Sequence, residues 1–525
     1  MHRAGKPAIA LDTGLVESLR DPGAFPHEAG DIELVETHIS WLLLAGDFAY
    51  KIKKPLTLDF LDFSSLEKRR FYCEEELRLN RPWAPDIYLE VVPISRRDGR
   101  VRIGGDGEIV EYALRMRRFE QALRLDKQLE SGLLSVADMK ELGGTIAARH
   151  RRAPRVRAER RERVLRLTRE FMTDNFDALY GVIGDEFLTP LREWTIAELD
   201  RHAALLAARF DNGKVRSCHG DLHLGNLVRL PAGITTFDCI EFNADLRHID
   251  VVADTSFLVM DLVERGRSDL AAHFLNRYLE AFGDYEGVTL LNLFFVYRCL
   301  VRAKVAVIRS GERDDARDAD MDLKVANDYC VMAARQSKRG SPLLVVMHGF
   351  SGSGKTRVAG ELMAALPAIR IRSDIERRRL AGIGEREASG SGVGEGIYTA
   401  DASERVYGRL FALARGVLAS GHSVILDAAF LERRRREEAL DLAREACVPA
   451  VVVDVTAGED LLRERVAQRA AERSDPSEAD VRVLEHQLAT AEPLTDDEQT
   501  IAVRCDNSGE ADIEPILQRI RAAAR

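Results

Sequence analysis

Cysteine is sparse in this chain: there are seven in 525 residues, scattered from Cys73 to Cys505 and with no C-x-x-C pair. That scatter argues against a disulfide framework and against a Cys-rich structural zinc site, and leads us to expect a reducing, cytoplasmic setting. Long apolar runs are missing too. The most apolar helical stretch, "LLNLFFVYRCLVRAKVAVI", is interrupted by Arg298, Arg302 and Lys304, and the opening "MHRAGKPAIALDTG" has no continuous apolar core of a signal peptide. No membrane-spanning segment is expected. Nor is there an excess of positive charge. With 76 Lys and Arg against 86 Asp and Glu, the formal net charge is −10, which makes nucleic acid an improbable partner. One densely basic run, "RHRRAPRVRAERRERVLR" at 149–166, reads either as steering for a phosphorylated or nucleic-acid substrate or as a solvated helix balanced by acids.

What the chain does have is an ordinary globular composition, 46% hydrophobic and 31% charged. At about one domain per 100–200 residues, its length predicts two to four cores. The clearest seam is "ARQSKRGSPLLVVMHG", where a charged helical pattern gives way to an apolar strand. Placing it near Gly340 divides the chain into domains 1–336 and 341–525. Before the seam, residues 31–94 mix strand-like runs with one helix, "SLEKRRFYCEEELRLNR", and about 110–335 is mostly helical. After it, "LLVVMHG", "AIRIRSD", "SVILDAAF", "AVVVDVTA" and "IAVRCD" alternate with helices, the rhythm of a parallel α/β sheet. No repeat of fixed period relates the two halves.

"HGFSGSGKT" sets Gly349, Gly352, Ser353, Gly354, Lys355 and Thr356 in the spacing G-x-x-x-x-G-K-[ST], after a strand and before a helix. Glycines let backbone N–H groups wrap phosphates, Lys355 reaches the terminal phosphates of ATP, and Thr356 offers a hydroxyl to Mg²⁺. Asp374 ends the second strand, where an open α/β sheet presents residues to a ligand. There it either takes a proton from a hydroxyl, holds the metal's water, or caps the next helix. Arg377 and Arg378, one turn on, are candidate anion clamps. Asp427 ends the third strand in a position suited to the Mg²⁺ shell. Arg469 and Arg473 lie one turn apart on a helix running into a polar loop, which reads as an arginine-bearing lid or as a solvated face. Together "GFSGSGKT", "RSDIERRRL", "ILDAAFLERRRR" and "RVAQRAAERSD" resemble the compact P-loop kinases related to zeta toxins, polynucleotide kinases and gluconate kinase. The resemblance implies phosphoryl transfer from ATP to a hydroxyl, with Asp374 as base.

In "SCHGDLHLGNLV", His219, Asp221 and His223 alternate like metal ligands on a strand. Gly220 and Gly225 argue against a regular strand, and the residues downstream favour another reading. Asn226 stands five residues after Asp221, and "ITTFDCIEFN" delivers Asp238 after a short apolar run. Asp, Asn at +5, then Asp is the spacing of a kinase catalytic loop and metal loop. In it Asp221 orients and deprotonates the acceptor hydroxyl, while Asn226 and Asp238 hold Mg²⁺ through oxygen. His219 becomes a buried brace and His223 a polar neighbour of the phosphates or substrate. That arrangement needs a lysine on a strand and a glutamate on a helix. "WLLLAGDFAYKIKK" reads as two strands with a turn at Ala45, Gly46 and Asp47, with Lys51 as the lysine and Lys53 as runner-up. Helical spacing groups Phe71, Glu75 and Leu79 and so nominates Glu75, with Glu74 and Glu76 as alternatives.

This half resembles the aminoglycoside phosphotransferase and choline kinase family, whose hallmark is H-G-D-x-x-x-x-N. The resemblance runs from about 30 to 310 and implies that Asp254, in "LRHIDVVADTSFLVMDL", is a buried carboxylate bracing the catalytic loop. The expected fold is therefore a bilobal protein-kinase-like domain, with a small β-rich N-lobe and a helical C-lobe, followed by a P-loop parallel α/β sheet. The expected function is a bifunctional phosphotransferase dependent on ATP and Mg²⁺, each half acting on a hydroxyl of a small molecule. Two alternatives stand beside it: one half is an ATP-binding regulatory module, or the P-loop half acts on a nucleotide sugar or a nucleic-acid 5′ end.

Overall fold

The computed structural model describes residues 13–58, 61–338, 340–384, 387, 396–472, 481–509 and 512–523. By packing, the chain forms two compact units, each assembled from separated stretches. One gathers residues 1–138, 153–171 and 203–261, and the other gathers 139–152, 172–202 and 262–525.

The first unit is built on an antiparallel sheet of β1 (Glu33–Glu36), β2 (Ser40–Ala45), β3 (Phe48–Lys53), β4 (Tyr88–Arg97), β5 (Arg100–Ile103) and β6 (Glu108–Arg117), ordered β1-β2-β3-β6-β4-β5. Strand alternation sorts β3 cleanly. Tyr50 and Ile52 enter the apolar core with Trp41, Leu43 and Ile94, while Ala49, Lys51 and Lys53 take the other face. Gly46 turns the β2–β3 hairpin at φ +56, and a Cβ there would stand 2.7 Å from the Glu28 carbonyl oxygen. Helix α1 (Leu66–Asn80) starts at Ser65, whose hydroxyl accepts from Lys68 N–H at 3.3 Å. Its buried residues are Arg69, Cys73, Glu76 and Asn80, spaced as one helix face. After a short strand, Val215–Ser217, the loop with Asp221 leads through the turn Leu224–Asn226 into the hairpin of β7 (Leu227–Leu230) and β8 (Gly233–Thr236). The apolar helix α2 (Val251–Glu264) comes next.

The second unit combines α3 (Ser268–Phe282), α4 (Leu291–Gly311) and α5 (Ala316–Gln336) with a five-stranded parallel sheet. Its strands are β9 (Leu344–His348), β10 (Ile369–Arg372), β11 (Val424–Asp427), β12 (Ala450–Thr456) and β13 (Ala502–Asp506), ordered β10-β11-β9-β12-β13. All five runs read as strands in the sequence are strands: each is short and bounded by turn residues, most are apolar, and β10 alternates Ile with Arg. Helices α6 (Lys355–Ala365) and α7 (Ser373–Leu380) follow β9 and β10, and α8 (Glu459–Glu472) and α9 (Val481–Thr490) lie between β12 and β13. Val345, Met347, Val358, Leu362, Val453 and Ile516 form the core between sheet and helices. No helix among the described residues is long and apolar enough to cross a membrane.

Candidate active sites

In the first unit, β3, α1 and the 219–241 segment converge on one ionic cluster. Lys51 Nζ lies 2.8 Å from Glu76 Oε1 and 2.6 Å from Asp238 Oδ1. Glu76, one of the two alternatives from the sequence, is the Lys51 partner, and the first-nominated Glu75 is not. Glu75 instead pairs with Arg78 at 2.6 Å and Arg247 at 2.9 Å, while Phe71, supposed to share the inward face, is 57% exposed. The inward face of α1 is polar, so apolar periodicity pointed to the wrong side. Lys53 Nζ lies 2.5 Å from Glu76 Oε2 and also bonds Glu241. Burial alone would pull the Lys51 ammonium down, but Asp238, Glu76 and Glu241 hold it well above its usual value. Burial favours a neutral Glu76, yet Lys51 and Lys53 hold its carboxyl below the usual range.

The loop itself is pinned from two sides. Asn226 Nδ2 donates to Asp221 Oδ2 at 2.8 Å and to the Asp221 carbonyl at 3.0 Å. His219 Nε2 lies 2.9 Å from the Phe237 carbonyl, while Nδ1 accepts from Asp221 N–H at 3.3 Å. Both ring nitrogens are thus engaged within the loop, and the ring is neutral: burial pushes its pKa down. That geometry disfavours the alternating His-Asp-His metal reading. His223 Nε2 stands 3.4 Å from Asp221 Oδ2, and its Nδ1 accepts from Gly225 N–H at 3.1 Å. From α2, Asp254 accepts from His219 N–H at 3.1 Å and Gly220 N–H at 2.8 Å, and Asp261 accepts from Leu224 N–H at 2.8 Å. Asp238 adopts φ +61, a strained conformation that Asp tolerates better than most residues. It is secured by its N–H to the Tyr88 hydroxyl at 2.9 Å and by Cys239 N–H to Asn80 Oδ1 at 2.9 Å. Asn226 and Asp238 offer amide and carboxylate oxygens, the donor class that suits Mg²⁺. The hydrogen bonds described for the Asn226 side chain use its NH₂, which leaves the amide oxygen for a ligand.

In the second unit, Gly349, Gly352 and Gly354 adopt φ +135, +82 and +87. A Cβ on Gly349 would stand 2.3 Å from the Val455 carbonyl oxygen, so the loop runs against the backbone beside it. Lys355 Nζ donates to the Phe350 carbonyl at 2.6 Å, spanning the loop. Ser353 is buried, and its carbonyl accepts from Asn507 Nδ2 at 2.6 Å. Gln487 Oε1, on α9, accepts from Ser351 N–H at 2.9 Å. Thr356 Oγ1 stands 3.3 Å from Asp427 Oδ1. Asp427 Oδ2 is buried without a hydrogen-bond partner among the described residues, with Arg372 Nε 3.7 Å and Arg370 Nη1 4.0 Å away. Burial raises the Asp427 pKa, Arg370, Arg372 and Lys355 oppose that, and the Asp374 charge adds to it. An orphaned carboxylate oxygen beside a threonine hydroxyl also fits Mg²⁺.

Asp374 opens α7, directly after β10. Of the candidate anion clamps, Arg377 donates to the Ile397 carbonyl at 2.9 Å, and Arg378 to the Glu387 carbonyl at 2.6 Å, so both tie down loops. Arg469 belongs to α8, and Arg473 lies outside the described residues. Within 149–166, Arg163 pairs with Asp245, Arg161 with Asp211 and Arg166 with Glu170, so acids meet the basic run.

Sequence reasoning missed Glu241, Asn80, Tyr88, Asp261, Asn507, Gln487, Arg370 and Arg372. Two signals were there to find. Asp254 and Asp261 are two helical turns apart in an apolar run, and "IRIR" alternates two arginines onto one strand face.

Residues 117–291 match the Phosphotransferase enzyme family, and residues 344–494 match an AAA domain. Both are kinase-type phosphotransferase families, and the chain carries one domain of each. The chain is 30% identical over 448 residues to the uncharacterized protein Rv2004c of Mycobacterium tuberculosis, covering 85% of this chain and 87% of that one. It belongs to the same family as that mycobacterial protein. Among solved structures it is similar to a choline kinase from Cryptosporidium parvum, at 13% identity over 62% of this chain and 97% of that one, with a TM-score of 0.36. It is also similar to a gluconokinase from Sinorhizobium meliloti, at 21% identity over 35% of this chain and 93% of that one, with a TM-score of 0.25.

Proposed function

We propose that the chain is a cytoplasmic bifunctional kinase, organised in sequence as domains 1–336 and 341–525. Each transfers the terminal phosphate of ATP to a hydroxyl of a small molecule. In the first, Asp221 is the base, Lys51 paired with Glu76 holds the nucleotide phosphates, and Asn226 and Asp238 are the residues that would hold Mg²⁺. In the second, the 349–356 loop cradles the phosphates, Thr356 and Asp427 would hold Mg²⁺, and Asp374 is the base. Bound Mg²⁺ supplies charge neutralisation at the transferring phosphoryl group.

The observation that most supports this reading is that Lys51 contacts both Glu76 and Asp238 while Asn226 holds Asp221. It joins a phosphate-binding lysine, a metal loop and a base in one cluster. The test is transfer of labelled phosphate from ATP to a metabolite extract, with mass identification of products, for the parent, Asp221→Ala and Asp374→Ala. Two products, each lost in one variant, are expected. Undiminished transfer in both variants would remove both bases.

A further inference from the structure

Strand β10 is the outer strand of the P-loop sheet, and α3 closes its free edge with side chains. Asn276, 2% exposed, donates from Nδ2 to the Ala368 carbonyl at 3.0 Å and accepts at Oδ1 from Arg370 N–H at 2.6 Å, as a neighbouring strand would. One helical turn on, Glu280 Oε1 accepts from Arg370 Nη2 at 2.9 Å, with both side chains buried. The same guanidinium donates from Nη1 to the Thr356 carbonyl at 3.2 Å and lies 4.0 Å from Asp427 Oδ2. Glu280 is anchored in turn, because its carbonyl accepts from Arg379. A chain of three contacts therefore runs from a helix outside the sheet to the threonine and aspartate at the P-loop.

The electrostatics give that chain a direction. Arg370 is a permanent cation between two buried carboxylates. At 2.9 Å it is committed to Glu280 and only grazes Asp427. Without the Glu280 charge, its nearest remaining anion in this set is Asp427, whose outer oxygen has no hydrogen bond among the described residues. A guanidinium settled there would occupy and neutralise the oxygen that a divalent cation needs.

We propose that Glu280 is a positioning residue for the P-loop site: by holding Arg370 it keeps Asp427 open to a divalent cation, so a helix outside the sheet sets the cation affinity of the nucleotide site. This rests on reading 349–356 and Asp427 as an ATP and Mg²⁺ site.

The experiment is calorimetric titration of the full-length chain with ATP over a range of Mg²⁺ concentrations, taking as the P-loop component the binding lost in Lys355→Ala. Glu280→Gln is expected to raise the Mg²⁺ concentration for half effect on that component by about tenfold, as loss of a partner behind a metal ligand commonly does. ATP binding without Mg²⁺ stays at the parental level. The double variant Glu280→Gln/Arg370→Gln removes the Arg370 guanidinium and leaves Arg372 3.7 Å from Asp427 as in the parent, so it returns the Mg²⁺ response to near the parental value. A single variant with the parental Mg²⁺ response overturns the proposal, and so does a double variant as impaired as the single, because Glu280 would then be only a packing element. If Glu280→Gln does not fold by circular dichroism, Arg370→Gln decides. A parental or stronger Mg²⁺ response supports the proposal, and a weakened one overturns it. A parent with no ATP binding sensitive to Lys355→Ala removes the P-loop reading itself, and this inference with it.

Discussion

Lys53 Nζ lies 2.5 Å from Glu76 Oε2 and also bonds Glu241, with none of the three side chains more than 3% exposed. A single buried cation thus ties β3, α1 and the 238–241 segment together. Removing it strands buried carboxylate charge. Lys53→Met is expected to destabilise the first unit by about 3–5 kcal/mol, the usual cost of breaking a buried pair from one side. Lys51, beside the same glutamate, is 15% exposed and should cost less stability when replaced, and more nucleotide binding. Denaturant unfolding compared with ATP titration separates the two.

Glu76 and Glu75 are neighbours with different work. Glu76→Gln should weaken ATP binding in the first unit, because Lys51 loses the partner that balances Asp238. Glu75→Gln should leave ATP affinity within about twofold, since its contacts are Arg78 and Arg247. Equal effects from the two variants would contradict the assignment.

Gly349→Ala should abolish nucleotide binding at the P-loop and lower the melting temperature. Its φ of +135 excludes an L side chain, and the new Cβ would meet the Val455 backbone oxygen. Gly408→Ala, on a helix with nothing within 4 Å of its would-be Cβ, is the control and should be neutral or mildly stabilising.

Partly buried histidines predict acid sensitivity. Burial pushes His219 down, and pushes His273 and His422 down to about 4, against a usual value of 6.5. The fold favours their neutral form, so the unfolded chain takes up protons first as pH drops. Their contribution to stability is complete above pH 6.5 and is lost as pH falls towards 4. Melting temperatures recorded from pH 7.5 down should fall below about 6.5, and His422→Gln should flatten the slope.

The P-loop sheet was legible because its strands are short runs rich in Val and Ile closed by turn residues, and a parallel sheet buried on both faces favours that pattern. The turns around Asp221 and Lys355 were legible because Asn226 and the glycines at 349, 352 and 354 stand at fixed spacing, and the Asn226–Asp221 bond and the positive φ values of those glycines shape the turns. Glu76 was not, because the face it occupies is lined by Arg69, Cys73 and Asn80. Periodicity locates apolar faces, and an inward face built of ions is invisible to it. Glu241, Asn80 and Tyr88 act through partners more than 140 positions away, a relation no local pattern encodes.

The amide of Asn276 has a practical consequence for anyone who cuts the chain. A fragment starting at residue 341 would keep every phosphate-binding residue proposed for the second domain, yet its outermost strand would present bare hydrogen-bonding groups to solvent. Self-association through that rim is the failure to expect, and a fragment beginning upstream of Ser268 carries its own cover. Where the molecule is safely divided is thus decided by one carboxamide on a helix.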